Sequence, residues 1–309
     1  MSNSVHTPVL LSEATSALNP QSGGAYADGT VGAGGHSAAI LRASAPTGLL
    51  YGCDRDQSAI EIARERLAEF GGRCELRVAS FTELAGWLGP ARCEGVILDL
   101  GVSSMQIDDP GRGFSFQLDG PLDMRMNRDQ SITAADLVNE ESAEELSRIF
   151  WEFGGERQSR RLARAMVQER SHRRMETTRQ LAALIERSTP PKGLRIHPAT
   201  RVFQALRIAV NDELGQLRAG LDSAWAVLKP GGRLSVITFH SLEDRIVKEF
   251  GRKLARDYSI DGAEDIPELR RPKRPEMDWV FKKAIQPKES EIKANPRARS
   301  AQLRVMQKL

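Results

Sequence analysis

The sequence predicts a doubly wound α/β sheet of the Rossmann-like kind, with a helical segment inserted after its fourth strand. Three observations carry this. Short apolar runs alternate with stretches of helical period through the first hundred or so residues. A glycine-rich loop, Asp28-Gly29-Thr30-Val31-Gly32-Ala33-Gly34-Gly35-His36, joins the first apolar run to the first helical stretch. The alternation then stops for roughly 100 residues and resumes near Asp212.

Ala25–Asp28 is the first strand and breaks into the loop; Ser37–Arg42 then reads as helix. Gly48–Asp54 is a buried strand ending on a carboxylate. Ser58–Phe70 places Ile60, Ala63, Leu67 and Phe70 on one helix face. Glu75–Phe81 and Glu94–Asp99 are the third and fourth strands. After an irregular stretch at Pro110–Phe116, Thr133 caps a helix, and further helices are expected at 140–153, 157–167 and 178–188. Asp212–Leu228 is amphipathic, with Leu214, Leu217, Leu221 and Ala224 on one face, and Lys229–Gly232 turns the chain into a fifth strand, Arg233–Phe239. A helix at Ser241–Leu254, a surface loop at 266–275 and two last strands, Trp279–Ile285 and Ala301–Met306, complete the expectation. The domain reading is 1–107 with 205–309 for the sheet domain, and 108–204 for the insert.

Composition narrows the class. The chain has 309 residues, 40% hydrophobic and 28% charged, as in a water-soluble globular protein. No apolar run approaches the roughly 20 residues that span a bilayer, and the first residues lack a signal-peptide pattern, so a cytoplasmic protein with no membrane partner is expected. Cys53, Cys74 and Cys93 form no metal-binding pattern, and no metal is expected. Net charge is only +3, but Glu156–Arg179 holds eight Arg against three Glu. From Leu269 onward twelve Lys or Arg face four acids. Such segments suit a polyanion or a solvated surface.

The chemistry gathers at the expected carboxyl edge of the sheet, where ligands bind in this architecture. Asp54, 20 residues after Gly34, can accept hydrogen bonds from ribose hydroxyls. The loop lacks the third glycine of the dinucleotide fingerprint, since Ser37 stands in its place. S-adenosylmethionine carries no phosphate and asks for close backbone approach, met by Gly32, Gly34 and Gly35, and for an acid near its ammonium, met by Asp28. Asp28 could instead cap the turn, and Asp54 could cap the next helix. His36 could be a packing histidine, and Phe81 could flank an adenine or fill core. The pattern as a whole fits a methyltransferase with S-adenosylmethionine as cofactor.

Longer motifs make the resemblance specific. They include His6–Glu13, Asp28–Ser37, Asp54–Asp56, Leu98–Gln106, Pro110–Phe116, Asp119–Met126, Arg201–Ile208, Asn211–Leu214, Phe239–Arg245 and Asn295–Ser300. In these the chain resembles the bacterial small-subunit (16S) ribosomal RNA cytosine-N4 methyltransferase H family, nearly end to end. The resemblance implies a class I methyltransferase sheet with a helical domain inserted after the fourth strand, and methylation of an exocyclic cytosine amine in the decoding region of the small-subunit RNA. It implies cofactor contacts at Gly34, Gly35, His36, Asp54, Phe81, Asp99 and Gln106, all of the expected type here. The expected partners are 16S ribosomal RNA and the small subunit, with a homodimer left open. Asp99 is the candidate proton acceptor, although Asp99-Leu-Gly-Val102 departs from the Asp/Asn-Pro-Pro-Tyr/Phe of other amino-methyltransferases. Phe114 and Phe116 could stack an unstacked base or pack on the insert. His240 and Ser241 could touch substrate or hold structure. DNA or protein amine methylation, a non-catalytic RNA-binding assembly role and nicotinamide oxidoreduction are the competing readings.

Overall fold

The computed structural model describes residues 8–189, 197–262 and 265–309; His6 and Thr7, the start of the first family motif, lie outside them. The chain divides into two compact units, residues 1–101 with 214–309, and residues 102–213.

In the first unit α1 (Leu11–Leu18) precedes β1 (Ala25–Asp28), α2 (Gly35–Ala43), β2 (Leu49–Asp54), α3 (Gln57–Leu67), β3 (Cys74–Val78), α4 (Leu84–Leu88) and β4 (Cys93–Asp99). The second unit holds α5 (Ser104–Asp108), α6 (Ala134–Glu140), α7 (Ala143–Glu152), α8 (Ser159–Arg170), α9 (Thr178–Ser188) and α10 (Ala199–Asn211). The first unit resumes with α11 (Glu213–Val227), whose first residue still belongs to the insert. Then come β5 (Leu228–Thr238), α12 (Ser241–Ala255), β6 (Tyr258–Ile260), β7 (Arg270–Pro272), β8 (Met277–Trp279), α13 (Glu289–Ala294) and β9 (Gln302–Lys308).

Seven strands form one sheet in the order β3-β2-β1-β4-β5-β9-β8. The first five are parallel, and β9 runs antiparallel between β5 and β8. The order reverses between β1 and β4, which opens a crevice at their carboxyl ends. Strand alternation splits the sheet's side chains between two layers. Tyr26, Ile97, Ile237, Leu303 and Val305 pack with α1, α2 and α3. Ala27, Val96, Leu98, Val236 and Met306 pack with α11 and α12. Each fully buried aliphatic side chain here contributes roughly 1.5–3 kcal/mol. Asp28 and Asp99, at the ends of adjacent strands, fall on the α2 side by the same alternation.

The insert has its own core, with Leu122, Met124, Phe150, Met166, Leu181, Ile185, Val202 and Leu206 among its members. Thr133 caps α6 through the Asp136 N–H, and Asp136 returns the bond to the Thr133 N–H. Asn211, buried at the end of α10, accepts from the Met126 N–H at 2.8 Å and donates to the Met124 carbonyl at 2.8 Å.

The structure corrects several expectations. β3 ends at Val78, and Phe81 opens a short 3-10 turn instead of ending a strand, because Ser80 and Glu83 form a capping box there. The helix expected at 140–153 is α7, Ala143–Glu152; it starts later because Glu140 ends α6 and Ser142 caps the new helix. Lys229–Gly232 is an outward bulge of β5 and not a turn before it: Leu228 pairs with Cys93 and Arg233 with Gly95. The stretch at 266–275 contains β7, which pairs with β6. The expected strand Trp279–Ile285 is cut short. Trp279 pairs with Met306 and Ile285 bridges Leu303, so the chain between them bulges away from β9, with Lys282 and Lys283 exposed upon it.

Candidate functional site

The glycine loop leaves β1 and enters α2 through two glycines in the left-handed region, Gly32 (φ 51°) and Gly34 (φ 77°). A Cβ on Gly34 would also press on Leu67 at 3.3 Å. Most loop amides are already spent on the protein. Gly29 N–H donates to the Ile97 carbonyl, Thr30 N–H to Asp28 Oδ1, and Val31 N–H to the Cys53 carbonyl. Gly32 N–H donates to Asp54 Oδ2 at 2.9 Å, and Gly34 N–H to the Val31 carbonyl. A pyrophosphate cradle needs such N–H groups pointing at its ligand. This loop presents acceptors instead.

Three carboxylates end three neighbouring strands around the loop. Asp28 is buried, and its Oδ2 accepts from the Ser37 hydroxyl at 2.6 Å. Burial pushes its pKa up, against the pull of Ser37 and His36. Asp54 accepts from the Asp56 and Gly32 N–H groups, yet burial pushes its carboxyl up to about 6. Asp99 receives its backbone anchor from its neighbour: its N–H donates to Thr30 Oγ1 at 2.6 Å. His36 Nε2 lies 3.4 Å from Asp99 Oδ2. Burial of His36 favours its neutral form, but the Asp99 and Asp28 carboxylates outweigh that and raise its pKa. Asp99 Oδ1 is buried without a hydrogen-bond partner. Asp99 and Asp28 beside the imidazole, with Asp54 against the loop at Gly32, give a negative field with an unsatisfied acceptor inside it; that suits a cationic ligand. S-adenosylmethionine, with its sulfonium and ammonium, fits such a donor-poor and acceptor-rich site.

Phe81 is wedged between the loop and α11. A Cβ on Gly29 would meet Phe81 Cβ at 2.7 Å, and one on Gly220 would meet its ring at 2.0 Å. Sequence reasoning missed Thr30 and Ser37, which hold Asp99 and Asp28 in place. Hydroxyls beside acids in a strand-to-helix loop were the available signal.

His240 caps α12: its Nδ1 accepts from the Glu243 N–H, and the buried Glu243 carboxylate accepts from the Phe239 and His240 N–H groups. Ser241 is exposed at the first turn of that helix. The remaining sites lie in the insert. Gln106 is buried and forms a capping box with Ser103 at the start of α5. Phe116 stacks on His197 at 4.5 Å and meets Phe203 edge-on at 5.3 Å, while Phe114 lies under the Arg112 guanidinium at 5.8 Å. Both phenylalanines pack against the insert's core.

No cysteine is placed to attack a base. Cys93 starts β4 at the edge opposite Asp99, Cys74 starts β3, and burial pushes both thiols up to about 12. Cys53 is buried and its pKa is raised as well. All three stay protonated at neutral pH.

Comparison with known proteins extends over the chain. A family model described as the MraW methylase family matches residues 3–309. The ribosomal RNA small subunit methyltransferase H of Syntrophotalea carbinolica is 50% identical over 309 residues, covering 98% of each chain. Its namesake from Symbiobacterium thermophilum is 48% identical, covering 98% of this chain and 96% of its own. That of Citrifermentans bemidjiense is 49% identical, covering 98% of both. Among the described residues no helix is long and apolar enough to cross a membrane.

Proposed function

From the premise that this chain belongs to the MraW methylase family, we propose that it is an S-adenosylmethionine-dependent methyltransferase acting on the exocyclic N4 amine of a cytosine in the decoding region of small-subunit (16S) ribosomal RNA. The observation that carries this reading at the site is the convergence of Asp28, Asp54 and Asp99 around a loop whose amides are mostly satisfied internally. S-adenosylmethionine supplies a methyl group on a positively charged sulfur. Gly32, Gly34 and Gly35 let the backbone approach it, Asp54 accepts from its ribose, and Phe81 flanks its adenine. Asp28, His36, Asp99 and Gln106 complete its contacts.

An exocyclic cytosine amine is a weak nucleophile, because its lone pair is delocalised into the ring. The protein's task is therefore alignment, holding nitrogen about 3–3.5 Å from the methyl carbon. As the N–C bond forms and the C–S bond breaks, the nitrogen must lose a proton. Asp99, carrying a buried unpartnered oxygen and held by Thr30 and His36, is the group proposed to accept it. Attack through ring carbon 5 would need a thiolate, and the protonated thiols described above do not provide one.

In this reading the inserted unit, residues 102–213 and so wider than the expected 108–204, recognises the substrate. Phe114, Phe116, His240 and Ser241 are proposed to border it, and the arginines of α8 to meet its phosphates. The small ribosomal subunit is the partner and the cytoplasm the setting. Pairing with a second copy belongs to the same reading and would appear in sedimentation. The test of function is mass spectrometry of digested small-subunit RNA before and after incubation with enzyme and cofactor. The mass gain of a methyl in place of a hydrogen on one cytidine, at its amine, is expected; transfer of label to DNA or protein but not to this RNA would overturn the reading.

A further inference from the structure

A second basic feature lies on the sheet unit, away from the glycine loop. α12, the bulge after β8, and β9 enclose a cavity of about 470 Å³ lined by Lys248, Arg252, Trp279, Lys282, Lys283 and Arg304, together with small and amide residues. Lys248 and Arg252 stand one and two turns beyond Asp244 on the same helix face. Asp244 is the acid at this wall, and it is already engaged: Arg304 donates to it at 2.6 Å and Lys248 Nζ lies at 3.2 Å. Arg252, Lys282 and Lys283 form no ion pair among the described residues. Trp279 forms part of the wall, its ring edge seated where a Cβ on Gly251 would come within 2.3 Å, with the Arg304 guanidinium 6.0 Å from its centroid.

Five cations against one doubly paired acid leave a strong positive surplus, and a protein seldom gathers unpaired cations around a concave site without an anion to meet them. The location names the anion. Arg304 pairs across the sheet with Val236, which pairs with Leu98, the neighbour of Asp99. That is two strand spacings, about 10 Å. Arg304 and Leu98 face α12 while Asp99 turns to the α2 side at the carboxyl edge, so a strand of RNA with one base at Asp99 would round that edge to reach this cavity within a few nucleotides. We propose that the cavity between α12, β8 and β9 is an accessory RNA-binding site that grips backbone phosphates flanking the target base. The proposal rests on the methyltransferase reading for the choice of RNA.

The test compares the full chain with its Arg252→Gln/Lys282→Gln/Lys283→Gln variant. All three side chains are exposed, so the fold should be kept. Binding of a small-subunit RNA fragment is measured across a salt series, with S-adenosylhomocysteine binding, thermal unfolding and methyl transfer in parallel. The variant should bind RNA at least tenfold more weakly at low salt, and its log-affinity slope against log salt should flatten by about two. Cofactor affinity and melting temperature should be unchanged. Lys282→Glu/Lys283→Glu should weaken binding further. Equal affinity and slope in variant and wild type, or a loss that is independent of salt, would overturn the site. So would an acidic protein, and not RNA, losing its binding. Wild type that binds RNA with the steep slope but transfers no methyl would overturn the function and leave the site standing.

Discussion

Asp54 shows how one residue links folding to binding. Its carboxyl is raised to about 6 by burial despite two N–H donors. Below that pH it is neutral and a poor acceptor for ribose hydroxyls. Affinity for S-adenosylhomocysteine should therefore fall on acidification, by up to tenfold per unit below pH 6. Calorimetry from pH 7.5 to 5 checks this, and Asp54→Asn should flatten the profile. Folding responds with the opposite sign. A raised acid adds stability that is full below its unfolded value near 4 and is lost as pH rises through 6. Asp99 offers a second prediction. Asp99→Asn should slow methyl transfer by about 10²–10⁴-fold in single-turnover assays, with a smaller loss in cofactor affinity. Turnover near wild type would move proton acceptance to another group. Asp28, Asp54 and Asp99 were legible because each ends an apolar run. Their supports were not: Thr30 and Ser37 act through contacts made only once β1, β4 and α2 are packed.

At the scale of elements, α11 carries a small residue under pressure. An alanine at a mid-helix glycine usually gains about 1 kcal/mol. At Gly220 the added Cβ would meet the Phe81 ring at 2.0 Å. Gly220→Ala should therefore destabilise, by about 1–3 kcal/mol net, and weaken cofactor binding as the ring shifts. A rise in melting temperature would contradict this packing. Elements with clear period and clear ends could be read from sequence, among them β1, β2, β4, α3 and α12. α10 could not. Arg201, Gln204 and Arg207 do form a polar stripe on it, but it starts at Ala199 after Pro198 without a side-chain cap and runs on into α11 through the left-handed Asp212, so its ends carry no signal. β3 stops short of the predicted Phe81 because the Ser80 cap breaks it, and the predicted strand Trp279–Ile285 is cut short because alternation alone does not reveal a bulge.

On the scale of the molecule, the insert's core lies within its own unit, from Leu122 to Val210. The Asn211 side-chain amide ties the end of α10 to the backbone of Met124 and Met126. A fragment spanning residues 102–213 should thus unfold cooperatively in denaturant, with a single transition by circular dichroism and fluorescence. A gradual, non-cooperative loss of signal would show that its core needs the sheet unit.

The place of β9 in the sheet also bears on how the chain is made. β8 emerges from the ribosome before β9, yet among the described residues β9 is its only neighbour in the sheet. The edge of β5 is likewise bare until β9 pairs with it. During vectorial synthesis the insert can complete itself early, while two strand edges wait for the segment Gln302–Lys308. A nascent chain halted before residue 302 should be captured by chaperones and cleaved by proteases near β5 and β8, whereas one carried past β9 should resist both.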